Sequence, residues 1–168
     1  MTRWKIVLLC TSLAVLYGIA HDQVTARICV EYFTFGHPII IRTESPTILG
    51  LEWGVLGTLA GGLLVGYLLA RYAVGGNGPP YPKAALYRSI AVLFGCMGLA
   101  AILAGLLGYV LQRHGWISLP EPYSQVLRAD RQTRFMAVWW AHGGSYLAAY
   151  AGAGIILWRV WKARRRRP

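Results

Sequence analysis

Four long stretches of the chain contain no Asp, Glu, Lys or Arg, and they dominate its hydrophobic pattern. They cover residues 6–20, 53–70, 89–112 and 135–158. A helix needs about 20 mostly apolar residues to cross the hydrocarbon core of a bilayer. The last two stretches reach this length, the second reaches it with its flanking residues, and the first is short. Because backbone polar groups must be satisfied within lipid, the pattern predicts membrane-spanning helices.

We therefore predict an all-α membrane protein with a single domain, a four-helix transmembrane bundle whose termini are both cytoplasmic. The predicted spans lie at about residues 5–22, 48–71, 87–112 and 135–160. Between them are outer loops at 23–47 and 113–134 and an inner loop at 72–86, and a basic tail follows at 159–168. With the amino terminus inside, eleven basic residues face the cytoplasm and six face outward, as the positive-inside rule requires.

Composition and charge narrow the classes of protein that remain. The chain is 56% hydrophobic and only 14% charged, which excludes a soluble enzyme domain and a disordered segment. Its three cysteines are an odd number without C-x-x-C spacing, so they predict neither a disulfide framework nor a zinc finger. Six of the 17 basic residues lie in the last ten positions. This tail favours lipid headgroups over nucleic acid, chiefly through Arg164, Arg165, Arg166 and Arg167.

The first apolar stretch has two interpretations. Basic residues before it and the small residues Gly18 and Ala20 at its end also fit a secretory signal peptide cleaved after Ala20. An apolar helical pattern continues past Ala20 through Val24 and Ile28, which favours an uncleaved first helix. Both versions give the same orientation to everything downstream.

Small residues recur at four-residue spacing in the last three spans. Such rows let helix backbones approach closely. They predict packing within the chain, with a homodimer or a larger membrane complex as the alternative. The rows are Gly50 and Gly54, Gly57 and Gly61, Gly62 and Gly66, then Ala100, Ala104 and Gly108, and finally Gly144, Ala148 and Gly152.

All six acidic residues and all four histidines fall on the predicted outer half, which indicates a polar site facing outward. Glu52 and His142 lie about 8–10 Å into their helices at 1.5 Å per residue. An ionisable side chain at this depth is costly unless it is paired inside the bundle, so both are functional candidates. Ser145 and Tyr146 share the helix face of His142 and extend its polar surface.

A second polar cluster follows the first span. It reads H-D-Q-V-T-A-R at residues 21–27, E-Y-F at 31–33 and G-H-P at 36–38. In a helix, Arg27 would pair with Glu31, and Pro38 would end the helix near His37. This segment resembles one found in a family of uncharacterised small bacterial multi-pass membrane proteins. The resemblance covers residues 21–38 and implies a bacterial inner-membrane setting, without an activity.

Imidazole and carboxylate groups of these clusters are the ligands that transition metals prefer. We predict a metal or small-ligand site built from His21, Glu31, His37 and His142. Around it we expect residues that orient the ligands or relay protons, namely Asp22, Arg27, Glu52, Ser145 and Tyr146. A haem between two histidines is an alternative cofactor. Alternative functions are a proton- or ion-coupled small transporter and an accessory subunit of a larger membrane complex; whether the protein is an enzyme stays open.

Overall fold

The computed structural model describes residues 1–76 and 79–165. This part of the chain is 82% helical and contains no strand. Its six helices are α1 (Arg3–Ile28), α2 (Glu31–Gly36), α3 (Pro46–Val74), α4 (Lys83–Arg113), α5 (Tyr123–Val126) and α6 (Ala129–Arg165). The predicted all-α fold is therefore confirmed.

Within the described residues, α1, α3 and α4 are long and apolar enough to cross a membrane. The longest helix, α6, has 37 residues. Its glycines, aromatic rings and His142 lower its mean hydropathy, so by composition it is not apolar enough to count as a membrane span. The chain thus has three helices suited to lipid by length and composition. The fourth span stays a prediction.

The long helices form two antiparallel pairs, α1 with α3 and α4 with α6. A Cβ built on Gly54 would lie 2.5 Å from the Cα of Ile19, and one on Gly66 would lie 3.0 Å from the Cα of Val7. On the second pair, a Cβ on Gly108 would lie 2.6 Å from the Trp140 ring. Gly54, Gly66 and Gly108 therefore pack within the chain, because a side chain at these positions would force the helices apart.

Buried apolar side chains join the two pairs near the chain termini. One core cluster takes residues from all four long helices, among them Ile6, Leu69, Leu86 and Val160. The opposite end carries α2, α5 and the loops around them, and we call it the α2 end. Its core clusters contain Phe33, Leu49, Phe135 and Val138, among others.

The region predicted as the first outer loop is partly helical. Helix α1 continues to Ile28, past the predicted end of the span, and a break at Cys29 and Val30 separates it from α2. Helix α2 ends at Gly36, directly before His37 and Pro38, as the sequence predicts. The change of direction at the break folds α2 back against α6.

The basic tail is described as far as Arg165, and Arg166 and Arg167, which the sequence predicts to contact lipid headgroups, lie outside the described residues. The guanidinium of Arg164 donates hydrogen bonds to the carbonyl oxygens of Tyr72 at 2.9 Å and of Gly75, at the end of α3. Arg165 lies over the ring of Trp161, 4.2 Å from its centre. Arg164 thus satisfies carbonyls that the end of a helix leaves without partners.

Candidate metal centre

Three side chains from two helices converge beneath the α2 end. His21 and Asp22 are consecutive residues of α1, and His142 faces them from α6. One ligand atom from each lies within 4.8 Å of the others. Asp22 and His142 are buried, with 6% and 5% of their surface exposed. The group therefore lies inside the bundle, where a charge or an unpaired polar atom is costly.

The orientation of His142 is fixed by its own helix. Its Nδ1 lies 2.9 Å from the carbonyl oxygen of Val138, one turn earlier. A carbonyl only accepts hydrogen bonds, so Nδ1 carries the proton and donates it. The other nitrogen, Nε2, lies 3.1 Å from Oδ1 of Asp22. Neutral His142 therefore presents a lone pair at Nε2, and only an imidazolium or a protonated Asp22 would make a hydrogen bond there.

His21 adds a second imidazole ring to the group. Its Nε2 is buried and has no hydrogen-bond partner within the described part of the chain. The His21 ring meets His142 edge-on, with ring centres 4.5 Å apart. A buried polar atom without a partner costs about 1–3 kcal/mol, so native proteins rarely keep one without a reason. One possible ligand atom of each of His21, Asp22 and His142 thus lies within 4.8 Å of the other two.

Aromatic rings enclose the group. The Tyr32 ring lies 4.6 Å from that of His142, and the Phe33 ring 5.8 Å from it. Burial raises the pKa of Tyr32 above its ordinary value, so this phenol is neutral at physiological pH. On the opposite side, the hydroxyls of Tyr17 and Ser145 are hydrogen bonded at 2.8 Å. The rings limit the access of water and strengthen electrostatic interactions inside the group.

His37 and Glu31 lie outside this group in the described structure. The Nδ1 of His37 is 3.1 Å from the carbonyl oxygen of Tyr32, and its ring packs 4.3 Å from that of Trp53. Burial lowers the pKa of His37, which favours a neutral ring that donates to this carbonyl. Glu31 forms an ion pair with Arg131 at 3.5 Å and accepts a hydrogen bond from the Cys29 thiol. The structure thus joins two of the four predicted ligands, and Asp22 brings the carboxylate.

The other predicted site residues have separate contacts. Arg27 donates hydrogen bonds to Gln23 at 2.7 Å and to Thr47 at 2.9 Å, and so ties α1 to the start of α3. The expected ion pair of Arg27 with Glu31 is wrong, because the break after α1 carries Glu31 towards Arg131. Glu52 accepts a hydrogen bond from the Ile41 N–H at 3.1 Å. It therefore holds the loop before α3.

Two further candidates lie on α6 close to His142. Ser145 is buried and hydrogen bonds to Tyr17, as described above. The ring of Tyr146 is 6.3 Å from that of His142, and this side chain is 41% exposed. Both residues therefore border the group, on the side that leads deeper into the bundle.

The sequence pattern predicts Asp22 as a residue that orients a ligand beside the site, not as a ligand itself. Consecutive helical residues point about 100° apart, so His21 and Asp22 do not share a helix face. Both residues nevertheless contact His142, whose Nε2 lies 3.1 Å from Oδ1 of Asp22 and whose ring centre lies 4.5 Å from that of His21. The adjacent His and Asp after an apolar span were the available signal.

Comparisons with protein-family models, with curated proteins and with solved structures return no match. The chemistry of the site therefore rests on its own geometry.

Proposed function

We propose that this chain is a membrane protein that binds one divalent transition-metal ion through His21, Asp22 and His142. The observation that carries the proposal is the buried, unpartnered Nε2 of His21 beside the Nε2–Oδ1 pair of His142 and Asp22. Two imidazoles and one carboxylate are a ligand set that suits zinc and non-haem iron. The 3.1 Å between His142 Nε2 and Asp22 Oδ1 matches the spacing of neighbouring ligands at bonds of about 2 Å.

A bound cation would also give all three side chains of the group a partner. Without one, His142 and Asp22 need a shared proton between them, and His21 Nε2 is left without a partner. An ion at this point would accept lone pairs from both imidazoles and neutralise Asp22. The hydrogen bond from His142 to the Val138 carbonyl supports the proposal, since metal-bound histidines almost always donate their other N–H to such a group.

The number of ligands points to a site that binds something further. Closed structural zinc sites usually have four protein ligands, whereas catalytic sites have three and keep one position for water or substrate. With His21, Asp22 and His142 as its ligands, the ion would keep an open position. There it would act as a Lewis acid towards an oxygen or nitrogen ligand.

The membrane arrangement that we propose has four spans, with both termini in the cytoplasm of a bacterial cell and the α2 end outside the inner membrane. The core cluster shared by all four long helices supports a span in α6. Near its end, Lys162 and Arg165 lie over the rings of Trp158 and Trp161. Tryptophan beside basic residues is typical of a cytoplasmic membrane interface.

A proton- or ion-coupled transporter is the alternative in which the same group moves its cargo across the membrane. It would need a polar path from the site to the terminal end of the bundle. Apolar side chains fill that end, including Ile6, Leu69, Ile90 and Ile156. This apolar packing favours a site that its ligand reaches from one side of the membrane only. An accessory subunit is a further alternative: Gly54 and Gly66 pack within the chain, whereas a Cβ on Gly61 would meet no described atom within 4 Å.

Metal content tests the proposal directly. The protein is purified in mild detergent, loaded with Zn²⁺, desalted and analysed by elemental mass spectrometry. We expect about one Zn²⁺ per chain. Even residues that only orient a ligand change metal affinity by about 10–100-fold, so loss of a ligand in His21→Gln, Asp22→Asn or His142→Gln should weaken binding at least as much.

Two matched control variants test whether the loss of any histidine lowers the metal content. His114→Gln changes an exposed histidine whose ring packs on Trp116, and His37→Gln changes a histidine of the first predicted ligand set. Both should keep the ion, and all five variants should elute as the wild type does in size exclusion. Absence of bound metal after loading with Zn²⁺ and with Fe²⁺ would refute the proposal.

A further inference from the structure

A groove of about 520 Å³ lies along the bundle between α1, α4 and α6 and reaches His21. Helices α1 and α4 belong to different pairs and touch each other little, so a gap opens between them. Its rims carry exposed Val24 and Ile28 on α1 and exposed Ile102 and Leu106 on α4. In a membrane, this groove would open sideways into the lipid.

The depth of the groove comes from small residues on its floor. Gly98, Ala101 and Gly105 line it on α4, and Ala137 and Ala141 line it on α6. A Cβ built on Gly98 would meet no described atom within 4 Å. The volume falls within the range of ordinary small-molecule sites, about 300–1,000 Å³.

Among the described lining residues of the groove, one side chain has a buried nitrogen without a partner. No Asp, Glu, Lys or Arg is among its described lining residues. The hydroxyls of Tyr17 and Tyr109 contact Ser145 and Arg113, and that of Thr25 donates to its own helix. His21 is the lining side chain whose buried nitrogen has no partner in the described structure. Val138, whose carbonyl fixes His142, lines the same groove.

We propose that this groove binds a membrane-dissolved molecule with an apolar body and one terminal oxygen group, which lies at His21. The inference rests on the proposed function, because the ion supplies the open position that the oxygen occupies. Apolar walls select the body of the molecule. No described lining residue carries a charge, so the ion would be the only charged group that the bound molecule meets in the described part of the groove.

The test uses protein loaded with Co²⁺, whose visible absorption reports on its ligands, in lipid nanodiscs. Bound Co²⁺ is first counted by elemental analysis. The probe is 4-octylphenol, and octylbenzene is the matched compound without the oxygen. We expect 4-octylphenol to shift the Co²⁺ spectrum saturably and octylbenzene to leave it unchanged.

A pair of glycine variants tests whether the probe occupies this groove. Gly98→Leu places a side chain in it, and should weaken 4-octylphenol binding by about tenfold or more, since one methylene in an apolar pocket already changes discrimination by 10–200-fold. Gly95→Leu, one turn earlier on α4, has equally open space at its Cβ among the described atoms, and Gly95 is not a described lining residue of the groove. This control should bind the probe as the wild type does.

The outcomes separate the two proposals. If Co²⁺ binds but 4-octylphenol leaves its spectrum unchanged, or if Gly98→Leu and Gly95→Leu behave alike, the groove inference is overturned and the metal site stands. If Co²⁺ does not bind, the metal site fails, and the proposed contact of the oxygen with the ion fails with it.

Discussion

At the scale of single residues, one hydrogen bond determines what His142 can do. Its Nδ1 donates to the carbonyl of Val138, so Nε2 is left to face Asp22 and His21. The same nitrogen could hold a proton or, as we propose, a metal ion, and the unpartnered Nε2 of His21 supports the ion. A proton between His142 and Asp22 satisfies only two groups, whereas a cation satisfies all three.

The Cys29 thiol gives a prediction at this scale. Cys29 is 1% exposed, and burial, followed by its hydrogen bond to Glu31, raises its pKa to about 12. A raised pKa means that the folded protein holds the thiol in its protonated form, and only the thiolate reacts with iodoacetamide. We expect alkylation of Cys29 at pH 8 to be more than about a hundredfold slower in mild detergent than in the SDS-unfolded chain, where the pKa is near 8.5.

Peptide mass spectrometry over a time course measures the modified fraction of Cys29 in both states. Equal rates in mild detergent and in SDS would show that the thiol is not buried at the α2 end.

The sequence predicted both histidines of the site that we propose, His21 and His142, but named Glu31 rather than Asp22 as the carboxylate ligand. The sequence shows how deep an ionisable residue lies in an apolar stretch and on which half of the bundle it falls. These two features indicated both histidines. The choice between Asp22 and Glu31 depends on the chain direction after Ile28. Because Val30 and Phe33 continue the apolar helical pattern, the break at Cys29 that turns Glu31 towards Arg131 is not visible in it.

At the scale of elements, the contacts between helices explain the use of glycine. The rows at four-residue spacing predicted close approach, and α1 with α3 and α4 with α6 realise it. The spacing alone could not tell which row faces a partner helix. Gly54 lies against the backbone of α1, whereas a Cβ on Gly61 would meet no described atom within 4 Å.

This difference predicts opposite effects of the same substitution on one helix. In Gly54→Ala the new Cβ would lie 2.5 Å from the Ile19 backbone, so α1 and α3 must separate, at a cost of about 1–3 kcal/mol. In Gly61→Ala the methyl group enters open space, and alanine favours the helix by up to about 1 kcal/mol. Unfolding in SDS, followed by tryptophan fluorescence, measures both. Equal destabilisation of the two variants would contradict the described pairing of α1 with α3.

At the scale of the whole molecule, the two ends of the bundle differ in chemistry. The α2 end holds the His21, Asp22 and His142 group with its aromatic surroundings, and the terminal end holds an apolar core and basic side chains. Composition and charge distribution predicted this difference between the two ends, because both are counted over long segments of the sequence. The side groove could not be predicted, because it arises from the way two helix pairs meet.

The proposed orientation predicts which end of α4 faces outward. This helix of 31 residues is about 46 Å long at 1.5 Å per residue, enough to cross a bilayer. Lys83 begins it, and exposed Trp116 follows it. We expect a membrane-impermeant maleimide to label Trp116→Cys in intact cells and Lys83→Cys only after permeabilisation. The wild-type chain gives the background from its own cysteines, and the reverse pattern would contradict the orientation.

The central claim is that His21, Asp22 and His142 bind one ion together, and X-ray absorption at the zinc edge of the Zn²⁺-loaded protein tests it most directly. We predict two imidazole ligands with Zn–N distances of about 2.0–2.1 Å and an oxygen shell at about 2.0–2.2 Å. His142→Gln should remove this signature, and His37→Gln should leave it unchanged. A sulfur shell at about 2.3 Å, or a wild-type spectrum with fewer than two imidazoles, would contradict the site.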